Sequence, residues 1–289
     1  MTSKARAARW DSFIRGLMCI GAIVLIGHHA RFYLPVSIQL DPFPPARIAH
    51  AGGRINSIDY SNSYQALNDN YQRGFRYFEI DLMYTSDQHL VCLHDWEQSF
   101  GALSGTQVND AISLEEFELS FINTRLTPCT LNGLMEWLET HPDAFIVTDV
   151  KENNLAALAT IARLYPSLIN RIVPQIYTPK NFAQVRRSGY DKVIWTLYRF
   201  PASQREILYW MGKLSGSVAV TMPQQLAKEG LGCKLKQFQV TTFTHTINSE
   251  PLLKLFQEQY GIDEVYTDTL APATTEVITV AGASDNSLC

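Results

Sequence analysis

Four groups in this chain have types and spacings that point to chemistry: Glu79-Ile80-Asp81, Asp149-Val150-Lys151, His50 and His94. Residues two apart on a strand point to the same side. Glu79 and Asp81 alternate with Phe78, Ile80 and Leu82. If that apolar set faces packed helices, both acids point inward, where an unpaired charge is very costly. With Asp149 they make three carboxylates that repel one another unless a cation sits between them. An oxygen-only ligand set suits one divalent cation, Mg2+ or Ca2+. His50 runs into Ala51-Gly52-Gly53, where glycine permits a sharp turn or a close backbone approach. His94 is followed by Asp95. Two histidines flanking a metal ion suit general acid/base catalysis. Singly, a histidine is more often a cap or core residue, and a Glu-x-Asp a solvated face. The combination carries the functional reading.

Bringing these residues together requires strands that end in one place. Eight short β-like runs recur: 46–50, 77–83, 145–150, 171–176, 192–197, 217–221, 239–244 and 264–267. Helix-like segments such as 64–73, 131–140, 155–164 and 250–260 separate most of them. Strands alternating with helices imply βαβ units and a parallel sheet. Eight units predict an α/β fold, a (β/α)8 TIM barrel, whose active site lies at the carboxyl ends of its strands. A doubly wound open sheet is the alternative, but no GxGxxG follows the first strand. The run 89–94 follows the second strand after a short turn, which predicts a β-hairpin extension. A turn centred between Asp87 and Gln88 sets Asp81 opposite His94 and Glu79 opposite Trp96.

The 289 residues are 46% hydrophobic and 18% charged, with a formal net charge of −4. Disorder is excluded by that balance, and the lack of a basic excess argues against nucleic-acid binding. Five widely spaced cysteines without a CxxC pair predict isolated thiols rather than a zinc site or a disulfide scaffold. The amino terminus differs from the rest. Residues 1–12 read as a basic cytoplasmic tail and 13–36 as an uncleaved signal anchor, a single membrane-spanning helix. Residues 37–45 read as a proline-rich spacer and 46–289 as the barrel domain. The barrel is then placed outside the cytoplasm, next to a membrane. Removing residues 1–43 takes away five basic and two acidic residues, which leaves a formal −7.

The stretch from His50 to Asp95 resembles the glycerophosphodiester phosphodiesterases, a branch of the phospholipase-C-like TIM-barrel enzymes. The family pattern is His-Arg-Gly, Glu-Asn-Thr, Glu-x-Asp, a Thr-x-Asp-Gly turn and His-Asp. This chain has His50-Ala51-Gly52, Ser61-Asn62-Ser63, Glu79-Ile80-Asp81, Thr85-Ser86-Asp87-Gln88 and His94-Asp95. Asp149-Val150-Lys151, Thr246-Ile247-Asn248 and Thr267-Asp268 resemble later family segments. The resemblance implies that Glu79, Asp81 and Asp149 bind the metal and that His50 and His94 are the acid/base pair. It also implies that Lys151 contacts phosphate and that Asn62 and Asp95 belong to the substrate site. Ala51 and Ser61 depart from the family's arginine and glutamate. Arg54 is the candidate to replace the missing positive charge. The implied activity is hydrolysis of a small-molecule or lipid-derived phosphodiester, releasing glycerol 3-phosphate and an alcohol in lipid metabolism. The alternatives are a phospholipase-like enzyme on intact phospholipid or a glycerol-phosphate polymer, and an inactive binding barrel.

Overall fold

The computed structural model describes residues 40–41, 43–273 and Cys289. The expected anchor at 13–36 and the basic tail lie outside the described residues. So does most of the tail after Ala273. Among the described residues, no helix is long and apolar enough to cross a membrane.

The described strands are β1 (Leu40–Asp41), β2 (Ile48–Ala49), β3 (Tyr77–Tyr84), β4 (Leu90–Cys92), β5 (Phe145–Val150) and β6 (Ile172–Ile176). They continue with β7 (Lys192–Thr196), β8 (Gly216–Pro223), β9 (Thr241–His245) and β10 (Glu264–Thr267). Eight of them close a parallel barrel in the order β2, β3, β5, β6, β7, β8, β9, β10, and β10 pairs back onto β2. The expected (β/α)8 barrel is therefore observed. The short β1 adds parallel to β8 at the outside.

Strand alternation sorts the side chains. Phe78, Ile80 and Leu82 of β3 are buried outward among the helices, in one cluster with Leu134, Leu138 and Ile161. The inward residues form the barrel's own core of Phe43, Ile48, Tyr77, Val147, Val173, Ile194, Ala219, Phe243 and Tyr266. Higher in the barrel the inward positions turn polar, through Glu79, Asp81, Gln175, Thr196 and Thr221. The apolar floor supplies the burial that holds the barrel closed, and the polar upper layer is where chemistry is available. Phe43 closes the floor, at 3% exposure. Within the expected spacer, Leu40–Asp41 pair with β8 and Phe43 packs into the barrel floor.

The hairpin β3–β4 is present, in a register one residue from the expected one. Leu82 pairs with Cys92 and Tyr84 with Leu90, so Leu93 rather than His94 lies opposite Asp81. The turn is centred on Asp87, because the Thr85 hydroxyl donates to Asp87 and accepts from the His89 amide, and Gln88 takes a left-handed conformation. A one-residue slip would normally swap the faces of a strand. Here β4 ends at Cys92, and the chain turns toward the barrel mouth before His94.

After β4 comes a small insertion with its own aromatic core of Trp96, Phe100, Phe117 and Phe121. Its helices are Ser99–Ser104 and Leu114–Leu119, the second opened by a reciprocal Ser113–Glu116 cap. The base of the insertion is closed by a disulfide, Cys92–Cys129. A second disulfide joins Cys233 to Cys289. The expectation of isolated thiols is corrected by tertiary pairing that spacing does not reveal. The Cys92 amide donates to the Cys129 carbonyl, which brings their Cα atoms to 5.1 Å.

Closing a loop of 37 residues restricts the unfolded chain. The paired substitution Cys92→Ala/Cys129→Ala is expected to lower unfolding free energy by about 2–4 kcal/mol. Denaturant titration against the oxidised wild type checks this, and an unchanged midpoint would contradict it.

Candidate active site

At the carboxyl ends of the strands lies a cavity of about 500 Å3. His50, Glu79, Asp81, His94, Asp149 and Lys151 all line it. The closed barrel therefore brings together six of the residues singled out from the sequence.

The carboxylates come from adjacent strands. Asp81 on β3 is in register with Asp149 on β5, and Glu79 sits one inward position deeper. Ligand oxygens of Glu79, Asp81 and Asp149 all lie within 4.8 Å of one another. Each is held from a different direction. Glu79 accepts from the Ala51 amide at 2.8 Å. Asp81 accepts from Lys151 Nζ at 2.5 Å and from Asn62 Nδ2 at 3.0 Å. Asp149 accepts from the Tyr177 hydroxyl and lies 3.5 Å from Lys151 Nζ. Burial, followed by the charge of Asp81, pushes the Glu79 carboxyl up to about 8. Burial and Asp81 raise Asp149 as well. Burial acts the same way on Asp81, but Lys151 and the nearby histidines outweigh it and hold that carboxyl low. Protein cations alone thus leave two of the three acids resisting ionisation. An all-oxygen set with this residual repulsion fits a hard divalent cation.

The two histidines are each oriented by an aspartate. His50 stands in a short 3-10 turn, His50–Gly52, whose Ala51 is left-handed. A side chain at Gly53 would meet the Asn70 amide at 2.5 Å, so the tight turn that launches His50 requires glycine there. His50 Nδ1 is 2.8 Å from Asp268 Oδ1, and its Nε2 is 4.0 Å from Glu79. Asn248 holds Asp268 by donating to Oδ2 at 2.7 Å and accepting from the Asp268 amide. Burial opposes the charged imidazole. The hydrogen bond to Asp268, with the charges of Glu79 and Asp81, overrides it and raises His50 to about 9. His94 Nδ1 is 2.7 Å from Asp95 Oδ2. The same Asp95 accepts from the Gln98 and Ser99 amides and the Ser99 hydroxyl, and so caps the helix that follows. Burial of Asp95 is outweighed by the His94 and Ser99 bonds, and its carboxyl is held well below the usual range. Fixing Nδ1 in this way leaves Nε2 of each ring for the cavity.

Three of the expected substrate contacts are placed elsewhere. Asn62 is buried and clamps Asp81, donating to its carboxylate and accepting from its amide. Asp95 serves His94 and the helix cap. Arg54 pairs with Asp59 through two bonds of 2.6 Å and does not line the cavity.

Other residues take part to which the sequence assigns no role, and of these Asp268, in the Thr267-Asp268 segment, stands behind His50 rather than in the cavity lining. Asp268 lies one residue past Thr267, which is in register with Ala49. Closure of the barrel therefore sets it beside His50, a juxtaposition available from the strand order alone. Tyr60 packs edge-on against both His50 and His94, at ring distances of 4.7 and 5.2 Å. Arg199 lines the cavity with its guanidinium near the Tyr177 ring and donates to the Lys151 carbonyl at 3.0 Å. His245 packs edge-on against Tyr198, and its buried Nδ1 has no partner among the described residues. Burial, aided by His50, drives it down to about 3 and keeps the ring neutral.

No protein-family model and no curated protein sequence matches the chain. Solved structures do match. A glycerophosphodiester phosphodiesterase of Thermotoga maritima superposes with a TM-score of 0.61 at 16% identity, covering 79% of this chain and 96% of that one. One from Agrobacterium tumefaciens gives 0.55 at 13% identity, over 77% and 95%. A phosphodiesterase of Oleispira antarctica, solved with the product sn-glycerol-3-phosphate, gives 0.55 at 17% identity, over 80% and 93%. The chain thus has the barrel fold seen in these phosphodiesterases, across nearly their whole length.

In cation-free protein His50 is expected to titrate near pH 9. Its folded value lies above its ordinary 6.5, so its stabilisation is full below that pH and is lost as pH rises through about 9. Asp268→Asn removes an adjacent negative charge and moves the His50 titration to lower pH. NMR titration of the imidazoles in EDTA checks both statements, and an unmoved His50 in the variant would contradict the pairing.

Proposed function

We propose that the protein is a metal-dependent phosphodiester hydrolase that cleaves glycerophosphodiesters to glycerol 3-phosphate and an alcohol. One observation carries this reading. Two histidines, each oriented by its own aspartate, share a cavity with a three-carboxylate cluster. The likeness to phosphodiesterase structures, one solved with sn-glycerol-3-phosphate, supports the same substrate class.

Glu79, Asp81 and Asp149 would hold one divalent cation, Mg2+ or Ca2+. When bound, it supplies Lewis-acid stabilisation of phosphoryl charge. The residues do the proton work. His50, kept protonated by Asp268, donates to the leaving alkoxide, and His94 accepts the proton of the attacking water. Water adds to phosphorus, the P–O bond to the alcohol breaks, and the products are a phosphomonoester and the free alcohol. Lys151 and Arg199 place positive charge at the cavity wall, and Arg199 takes the part the sequence offered to Arg54. The neutral His245 is a hydrogen-bonding group for a substrate hydroxyl, not a proton donor.

The two disulfides support an oxidising compartment. That agrees with a barrel held outside the cytoplasm by an N-terminal anchor, and with a role in lipid metabolism at a membrane surface. A membrane-impermeant amine label applied to intact cells is expected to modify the barrel, and a barrel left unlabelled until lysis would argue for the opposite side.

Turnover of glycerophosphocholine is expected with Mg2+ or Ca2+ and to stop in EDTA. His50→Ala and His94→Ala are each expected to lower kcat by about 10²–10⁴-fold, while Glu79→Gln removes the cation response. Coupled detection of glycerol 3-phosphate checks this. Wild-type rates in either histidine variant would sink the acid/base assignment, and cation binding without turnover of any phosphodiester would favour a binding barrel.

A further inference from the structure

A second hollow of about 480 Å3 lies on the far side of Tyr60, between the 54–60 loop and the insertion helix Ser99–Ser104. That size falls in the roughly 300–1,000 Å3 range of small-molecule sites. Its wall includes Ile58, Tyr60, Ala102, Leu103 and Leu126. Three of its polar side chains are already engaged, Asp59 with Arg54, the Ser99 hydroxyl with Asp95, and Thr124 with the Leu126 carbonyl, and the exposed Gln98 and Arg125 complete its rim. What remains for an occupant is mostly hydrocarbon. Ile58 and Tyr60 are each 37% exposed, so large apolar side chains at this rim face water when the groove is empty.

Only the Tyr60 ring stands between this groove and the catalytic cavity. Tyr60 lines both, and its ring touches both proposed proton carriers. Ser99, on the groove wall, bonds the aspartate that orients His94. A substituent leaving the reacting phosphate past Tyr60 therefore enters hydrocarbon rather than water. We propose that this groove takes a single alkyl or acyl chain of the substrate, which makes the substrate a one-chain, amphiphilic phosphodiester. This rests on the hydrolase reading above and names its substrate class. The shared Tyr60 ring, in contact with His50 and His94, favours the substrate's own chain over a bilayer surface or a second copy of the protein.

The test is a homologous series of one-chain glycerophosphocholines, kept below micelle formation, alongside chain-free glycerophosphocholine. The wild type, Ala102→Trp and Ile58→Asn are compared. Ala102 is exposed, so tryptophan there fills the groove without entering the core, and Ile58→Asn makes it polar from the loop side. In the wild type, kcat/KM is expected to rise with chain length by up to about fourfold per methylene. Both variants flatten that slope and leave glycerophosphocholine turnover within about twofold. Binding of dodecylphosphocholine in EDTA, read by tryptophan fluorescence, follows the same pattern. Chain-free turnover with no chain-length dependence overturns the groove. So does a slope that survives both variants, the result expected if the chain enters a bilayer or a dimer interface. Chain-dependent binding with no hydrolysis of any phosphodiester overturns the hydrolase reading, and with it the groove's role as a substrate site.

Discussion

Three carboxylates, two buried and one half-buried, with ligand oxygens within 4.8 Å of one another, are the constraint around which this molecule is arranged. Glu79, Asp81 and Asp149 are brought together by the parallel register of β3 and β5, and the same register that closes the barrel makes them repel. The surroundings answer this from every side. The Ala51 amide reaches Glu79, Asn62 clamps Asp81, Tyr177 donates to Asp149, and Lys151 lies between the two aspartates. Asn62 even closes a two-way bond with the backbone of the strand that carries Asp81. An ordinary core would not tolerate such a cluster. It persists because a polar upper layer sits on an apolar floor that carries the burial.

The two histidines reach this cluster through different physics. His50 depends on closure: β10 pairs with β2, so Asp268 arrives beside His50 from the far end of the chain. His94 depends on local helix chemistry: Asp95 caps the helix Ser99–Ser104 and orients the imidazole with the same carboxylate. A carboxylate that holds both the helix start and the imidazole ties the position of His94 to the folding of the insertion. The disulfide at the base of that insertion, Cys92–Cys129, sits two residues before His94 and reinforces the tie. It also explains why a short strand, β4, stays in place on a ladder of few pairs.

Period-two alternation made the barrel legible, because apolar residues on one face of each strand and polar or small residues at its carboxyl end leave a clear trace. The inward acids followed from it, whereas His50 was marked by its place at a strand end and His94 by the hairpin, one register position from where it lies. Partners across the barrel did not. Asp268 is separated from His50 by 218 residues, and its role appears only once the last strand is laid against the first. Arg54 was attractive as the nearest cation to Ala51 in sequence, but a local ion pair with Asp59 holds it away from the cavity. The turn register slipped by one because hydroxyl bonding by Thr85 fixes its centre, a preference that hydrophobic pattern does not carry. Cysteine pairing was invisible for the same reason as Asp268, since it is set by which loops the folded barrel brings together.

Charge at the mouth explains how the departures from the family pattern can be tolerated. Ala51 brings no side-chain cation, but its backbone amide is used on Glu79, so the position still serves the cluster. Positive charge comes instead from Lys151 after β5 and Arg199 after β7. Three carboxylates against these two cations leave one negative charge in excess. In the absence of a metal that excess is relieved by the proton on Glu79, whose carboxyl is held up to about 8. A divalent cation would displace that proton and leave the cluster one charge positive, opposite to the single negative charge of a phosphodiester. The same arithmetic disfavours an uncharged ligand, which would meet an uncompensated positive site. Tyr60 then divides the labour by polarity. On one side of its ring lie the charged groups and both histidines, and on the other a largely hydrocarbon wall.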